Sequence, residues 1–241
     1  MSSINIILVH GAWADGSSWA KVIPLLRDKG MTVAAVQLPL TSFDADVATV
    51  SRAIALAQGD VVLVGHSYAG AVIGQAGNAP KVKRLVYIDA FAPDAGESAG
   101  SLFAKFEAAP LNNEIRPDAE GFLSLTPKGI ATLFAQDLDP AEQTILHATQ
   151  GPINGAALGG TLTQAAWRSR PGFYLIGEND LAILPVEQER MATRMNATIK
   201  RVASSHVPML SHPLVVADFI ALAAAGCQGD GNMHNGRLFQ E

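Results

Sequence analysis

Residues 61–72 read VVLVGHSYAGAV. An apolar run, Val61–Val64, breaks at Gly65, a serine follows at position 67, and small residues then take over. The run has the continuous, β-branched character of a strand buried on both faces. The residues after it, Tyr68–Asn78, read as a helix kept slim by Ala71, Gly74 and Gly77. At the break, Gly65-His66-Ser67-Tyr68-Ala69 departs from the G-x-S-x-G nucleophile elbow only at its last position. G-x-S also occurs at Gly16-Ser17-Ser18 and Gly96-Glu97-Ser98, so the short match alone carries little weight. Only Ser67 sits directly between a strand and a helix. In that context a sharp turn lifts the hydroxyl above the carboxyl ends of the strands, and the helix N-terminus points at a developing oxyanion.

Outward from this stretch the same alternation continues. Strands are expected at Ile4–Val9, Thr32–Gln37, Arg84–Ile88 and Phe173–Ile176, with a weaker one at Thr198–Val202. Helices are expected at Ser18–Lys29, Phe43–Gln58, Pro185–Met195 and Leu214–Ala225. Strand–helix alternation predicts a doubly wound α/β sheet. It fails between Ile88 and Phe173, a stretch holding Pro93, Pro110, Pro117, Pro127, Pro140 and Pro152. No convincing strand is legible there, and helical pieces are expected at Ser98–Glu107, Ala119–Leu125, Lys128–Phe134 and Ala141–Thr149. A structureless loop of that length is improbable in a compact domain. The expected organisation is a core of residues 1–90 and 168–225, a mostly helical cap insertion at 91–167, and a poorly ordered tail at 226–241.

Composition narrows the functional classes. Of 241 residues 49% are hydrophobic and 16% charged, which suits a large core. The net charge is −5 and Lys and Arg do not cluster, so neither nucleic acid nor an anionic membrane surface is an expected partner. The single cysteine, Cys227, permits no disulfide framework or cysteine-based zinc site. The N-terminus lacks a basic region and a long apolar run, so a cytoplasmic protein is expected. Oligomeric state is not legible, and a homodimer is compatible with the sequence.

A serine hydroxyl needs a base, and the base needs an orienting acid. His206 follows the last expected strand on a loop, within SSHVPMLSHP at 204–213, and is preferred to His212. FYLIGEND ends at Asp180, just past a strand and before Pro185, and is preferred to Asp89, Asp94 and Glu178. His10-Gly11-Ala12-Trp13 follows the first strand. The backbone N–H groups of Ala12 and Tyr68 are candidates for an oxyanion hole, and His10 is expected to pin the loop. Trp13, Phe91 and Trp167 are candidate pocket residues. Such a site needs no metal and no cofactor, and its partner is a small ester.

Taken together, LVHGAWADGSSWAKVIPLLRDKG, VGHSYAGAVI, YIDAFAPDAGES and SSHVPMLSHP resemble the α/β-hydrolase superfamily over roughly residues 4–225. Within it they resemble the compact group of plant methylesterases and hydroxynitrile lyases. The resemblance implies a mostly parallel six-stranded sheet with a cap over the site. It carries the nucleophile to Ser67, the base to His206, the acid to Asp180 and the oxyanion amides to Ala12 and Tyr68. The lyases of this group look to have a threonine after the first-motif histidine and a lysine after the catalytic histidine. Here those positions are Gly11 and Val207. Ester hydrolysis is therefore the expected reaction, ahead of a cofactor-free lyase or peroxidase-like activity or a ligand receptor with little turnover.

Overall fold

A computed structural model describes residues 4–229. Its core strands are β1 (Asn5–Val9), β2 (Thr32–Val36), β3 (Val61–His66) and β4 (Val82–Ile88). Helices α1 (Val22–Asp28), α2 (Phe43–Leu56) and α3 (Ala69–Ala76) lie between them. The segment after β4 holds α4 (Ala99–Lys105), β5 (Ile115–Pro117), β6 (Phe122–Leu125) and α5 (Pro127–Gly129), which runs into a π-helical turn, Ile130–Phe134. It continues with α6 (Pro140–Thr149), β7 (Ile153–Asn154) and α7 (Gly155–Leu158). The core resumes with β8 (Gly172–Gly177), α8 (Pro185–Arg194) and β9 (Thr198–Val202), and ends with α9 (Pro208–Ser211) and α10 (Pro213–Gly229).

The main sheet has six strands in the order β2-β1-β3-β4-β8-β9, all parallel. The central strands β1 and β3 are buried along their whole length, whereas the edge strands β2 and β9 keep exposed positions. Continuous apolar runs mark the middle of the sheet for this reason: both faces are covered by helices. Helix α1 packs on α10, and α2 packs on α3. The chain leaves β1 toward β2 and returns past it to β3. The crevice outside the carboxyl ends of β1 and β3 is thus the switch point of the winding, where open α/β sheets bind ligands.

The insertion holds a three-stranded sheet, β5-β6-β7, where no strand is expected from the sequence. Residues 119–125, expected to be helical, form a turn and strand β6, which pairs antiparallel with β5 and β7. The cause is local. Oδ1 of Asp118 accepts the N–H groups of Glu120 and Phe122, both at 2.9 Å, and the backbone N–H of Asp118 donates to the Phe122 carbonyl at 2.8 Å. This closes a hairpin around Ala119-Glu120-Gly121. The expected helix Ser18–Lys29 is also divided, into a 3₁₀ turn at Gly16–Trp19 and α1. Residues 226–229, expected to open a poorly ordered tail, belong instead to α10, which continues to Gly229. Residues 230–241, with His234, lie outside the described residues.

The insertion stands over the carboxyl ends of the sheet. Trp13, after β1, donates its indole N–H to the Leu123 carbonyl at 2.9 Å, and Leu40, after β2, accepts the Asn154 N–H at 2.9 Å. Gln136 donates to the Asn179 carbonyl at 2.7 Å beyond β8, and Phe134 accepts the His206 N–H at 3.2 Å beyond β9. Trp13 and Phe134 also meet edge to face at 6.2 Å.

Candidate active site

Ser67 follows β3 directly and has a φ of 54°. A left-handed conformation is strained for a residue with a side chain, and such strain concentrates at functional sites. Its backbone is tied on three sides. The Ser67 N–H donates to Ile88 at 3.2 Å, and its carbonyl accepts from Gly70 at 3.0 Å and Phe91 at 3.1 Å. Gly65 permits the tight return, since a Cβ there would lie 2.8 Å from the Ala69 carbonyl oxygen. Ala69 is fully buried in the first turn of α3.

The loop after β1 comes equally close. A Cβ on Gly11 would lie 2.7 Å from Cβ of Ser67 and 2.9 Å from the His66 carbonyl oxygen. His10 fixes this loop, donating from Nδ1 to the Gly11 carbonyl at 2.8 Å and accepting the Leu38 N–H on Nε2 at 2.9 Å. Burial lowers its pKa below the ordinary histidine value, which keeps the ring neutral and suits this one-donor, one-acceptor pattern. His66 points down into the protein, donating from Nε2 to the His206 carbonyl at 2.7 Å. Burial first, and the neighbouring His206 ring second, hold its pKa well below the usual range.

Asp180 and His206 meet at the far side. Nδ1 of His206 donates to Oδ2 of Asp180 at 2.6 Å, and both side chains are buried. Asp180 also accepts the N–H groups of Ala182 at 2.7 Å and Ile183 at 3.0 Å, and the Gln188 amide at 2.7 Å. Four donors thus converge on one buried carboxylate, which fixes its orientation toward His206. Asp89, the rival acid, is buried beside them with a φ of 44°. It accepts the Gly177 N–H on Oδ1 at 2.6 Å, and its Oδ2 has no partner. Burial, and then the charge of Asp180, raise its pKa well above the usual carboxylate range. The other rivals stand apart: Asp94 pairs with Arg168, Glu178 is exposed, and His212 contacts the Ser211 hydroxyl at 2.9 Å.

Asp89, Asp180 and His206 bring donor atoms within 4.8 Å of one another, a spacing that could hold a cation. Their chemistry does not suit one. The Asp180–His206 hydrogen bond occupies two of the donors, and burial favours the proton on the third.

Ser67 and His206 line one cavity of about 110 Å³ together with Ala12, Trp13, Tyr68 and Phe91. Among the described residues the Ser67 hydroxyl makes no hydrogen bond, and neither the Ala12 nor the Tyr68 N–H donates to a backbone carbonyl. Donors left open at a helix N-terminus and on a facing loop can receive an anionic oxygen. Trp167 is a correction. It does not line this cavity; its indole donates to the Pro93 carbonyl at 2.9 Å, and its ring packs against the guanidinium groups of Arg168 and Arg194.

A model of the alpha/beta hydrolase family matches residues 6–219. The chain belongs to the alpha/beta hydrolase family. It is 30% identical to the alpha/beta hydrolase nvfD of Aspergillus novofumigatus, over 91% of this chain and 96% of that one. It is 26% identical to methylesterase 1 of Arabidopsis thaliana, over 89% and 94% of the two chains. The crystal structure of a pyrethroid hydrolase from Sphingobium faniae superposes with a TM-score of 0.81 at 24% identity, covering 94% of this chain and all of that one. That last likeness speaks for the fold.

On this alpha/beta hydrolase several residues around the cavity had no sequence signal. Leu111, Asn112, Ile115, Leu123 and Leu158 come from the insertion, whose strands are too short to show a period. Asp46 is another. It is buried and accepts the Tyr68 hydroxyl and the Leu40 N–H, both at 2.8 Å, which anchors the elbow to α2. Its position in the first turn of α2 reads from sequence as an ordinary helix-dipole acid.

Proposed function

We propose that the protein hydrolyses small carboxylic esters through an acyl-serine intermediate. The observation that carries this reading is the 2.6 Å hydrogen bond from buried His206 to buried Asp180, behind a cavity that Ser67 also lines. Asp180 holds the proton on Nδ1, so Nε2 of His206 is left as the base. Ser67 attacks the ester carbonyl carbon as its proton passes to Nε2. The N–H groups of Ala12 and Tyr68 receive the oxyanion, and each such donor contributes about 10²–10³ in rate. Collapse of the tetrahedral intermediate expels the alcohol, which takes the proton from His206. Water then repeats the sequence on the acyl-serine and releases the acid. No cofactor enters the scheme.

Relatives named methylesterase and pyrethroid hydrolase support the ester as substrate class. Gly11 supports hydrolysis over the lyase alternative, because the close approach of Ser67 leaves no room there for a threonine side chain. Val207 supports it too, being apolar and buried where the resembling lyases have a lysine. The test is turnover of p-nitrophenyl acetate by wild type and Ser67→Ala. A folded Ser67→Ala protein should lose at least about 10³ in kcat; equal turnover would sink the reading.

A further inference from the structure

The cavity has few polar groups, and all but one are already engaged. Ser67 and His206 belong to the proposed chemistry. The Trp13 indole donates to Leu123, and the Tyr68 hydroxyl donates to Asp46. What remains is the carboxamide of Asn112, on the 3₁₀ turn Pro110–Glu114 of the insertion, which lines the same cavity. Its Oδ1 is buried without a hydrogen-bond partner, and among the described residues its side chain makes no hydrogen bond. Asn112 itself is half-buried, and a buried amide oxygen left unpaired calls for an explanation, which a polar ligand in the adjoining cavity supplies. The surrounding insertion residues that line the cavity are apolar: Phe103, Leu111, Ile115, Leu123 and Leu158.

We infer that Asn112 is the residue that selects the substrate, by hydrogen-bonding a hydroxyl group on it, so that the preferred substrates are small hydroxy esters. This rests on the ester-hydrolase reading above. A hydroxyl group fits because it pairs with either end of an amide, whichever end faces the cavity. A carboxylate or ammonium group does not fit, since it would enter an apolar cavity with no opposite charge on the insertion residues around it. The size is set by the cavity. An apolar cavity of roughly 150 Å³ admits benzene, and this one, at about 110 Å³, suits a short chain better than a ring. A few well-placed polar groups in an apolar pocket are what fixes ligand orientation.

The experiment compares isosteric ester pairs by kcat/KM: methyl 3-hydroxybutanoate with methyl 3-methylbutanoate, methyl 2-hydroxybutanoate with methyl 2-methylbutanoate, and 2-hydroxyethyl butanoate with propyl butanoate. Wild type should favour the hydroxy ester in at least one pair by about tenfold. In Asn112→Leu and Asn112→Ala that ratio should fall to one or below. Asn112→Leu should also raise Tm, because an unpaired amide is replaced by an apolar side chain of similar size; a structural amide would give a lower Tm and an unchanged ratio. Preference for the apolar isostere in every pair, or a hydroxyl preference that survives both substitutions, overturns the assignment and leaves ester hydrolysis standing. No turnover of any of these esters by a wild type that cleaves p-nitrophenyl acetate overturns the assignment alone, and no Ser67-dependent turnover of p-nitrophenyl acetate overturns both.

Discussion

Asp137, on the insertion, holds Ser205, the residue before His206: one carboxylate oxygen accepts the Ser205 N–H at 2.9 Å and the other accepts its hydroxyl. The next peptide is held by the insertion as well, through the His206 N–H and the Phe134 carbonyl. Phe134 also meets the His206 ring edge to face at 5.0 Å. The insertion therefore forms part of the frame of the proposed base as well as the roof of the cavity. Asp137→Ala should lower kcat about tenfold with little change in KM, since it releases the loop and leaves the cavity lining intact. The same substitution should lower Tm by a few degrees, since Asp137 is exposed and each of its two hydrogen bonds is worth about 0.5–1 kcal/mol. Steady-state kinetics and a thermal melt check both, and a change confined to KM would contradict the framing role.

The two buried aspartates should separate cleanly on substitution. In Asp180→Asn the N–H groups of Ala182 and Ile183 hold the amide oxygen, so the NH2 faces Nδ1 of His206 in place of an acceptor, and kcat should fall by about 10⁴. Asp89→Asn keeps an oxygen for the Gly177 N–H and should stay within a few-fold of wild type. Matched losses in the two variants would mean that His206 depends on both carboxyls.

Asp89 also makes a pH prediction whose sign follows from its burial. Its pKa is raised in the folded protein, whereas unfolded it titrates near the ordinary value of about 3.9. Below the unfolded value both states hold the proton and no penalty exists. As pH rises above it, the unfolded chain releases a proton that the folded protein retains, so stability falls until the folded group titrates. Asp89→Asn abolishes this loss. The Tm of the variant relative to wild type should therefore climb between pH 4 and pH 7, a trend that melts at several pH values would reveal or deny.

The parts of this fold that were legible in the sequence are those fixed by local chemistry. The strands β1, β3 and β8 are read from uninterrupted apolar runs because they are buried on both faces. Ser67, Asp180 and His206 are read because each follows a strand, and loops after parallel strands converge at one end of the sheet. The hairpin at Asp118–Phe122 was not legible, since Ala119 and Glu120 favour helix and the deciding bonds come from one side chain. Asn112, Asp46 and Asp137 were invisible for a different reason. Each owes its importance to a long-range neighbour, the cavity, Tyr68 or Ser205, and none has a distinctive spacing.

The alanine at the end of the elbow should prove a matter of packing. Ala69 is fully buried where strand and helix meet, and it does not line the cavity. Ala69→Gly should retain ester turnover within about threefold and lose about 0.5–1 kcal/mol of stability through added backbone freedom at the start of α3. Loss of activity in a folded variant would mean that the methyl sets the angle of the Ser67 turn.

Gly11 should tolerate no larger residue. Its missing Cβ would fall 2.7 Å from Cβ of Ser67 and 2.9 Å from the His66 carbonyl oxygen, and neither neighbour can yield, because both lie in the strained turn that carries the hydroxyl. Gly11→Thr should therefore displace the loop that bears Ala12, remove one proposed oxyanion donor and lower kcat by at least about 10². Adding Val207→Lys places an ammonium group at a buried position, which deepens the destabilisation. Neither the single nor the double variant should cleave a cyanohydrin. If Gly11→Thr kept full esterase activity, or if the double variant released cyanide, the loop after β1 would have to be looser than the contacts around Ser67 allow.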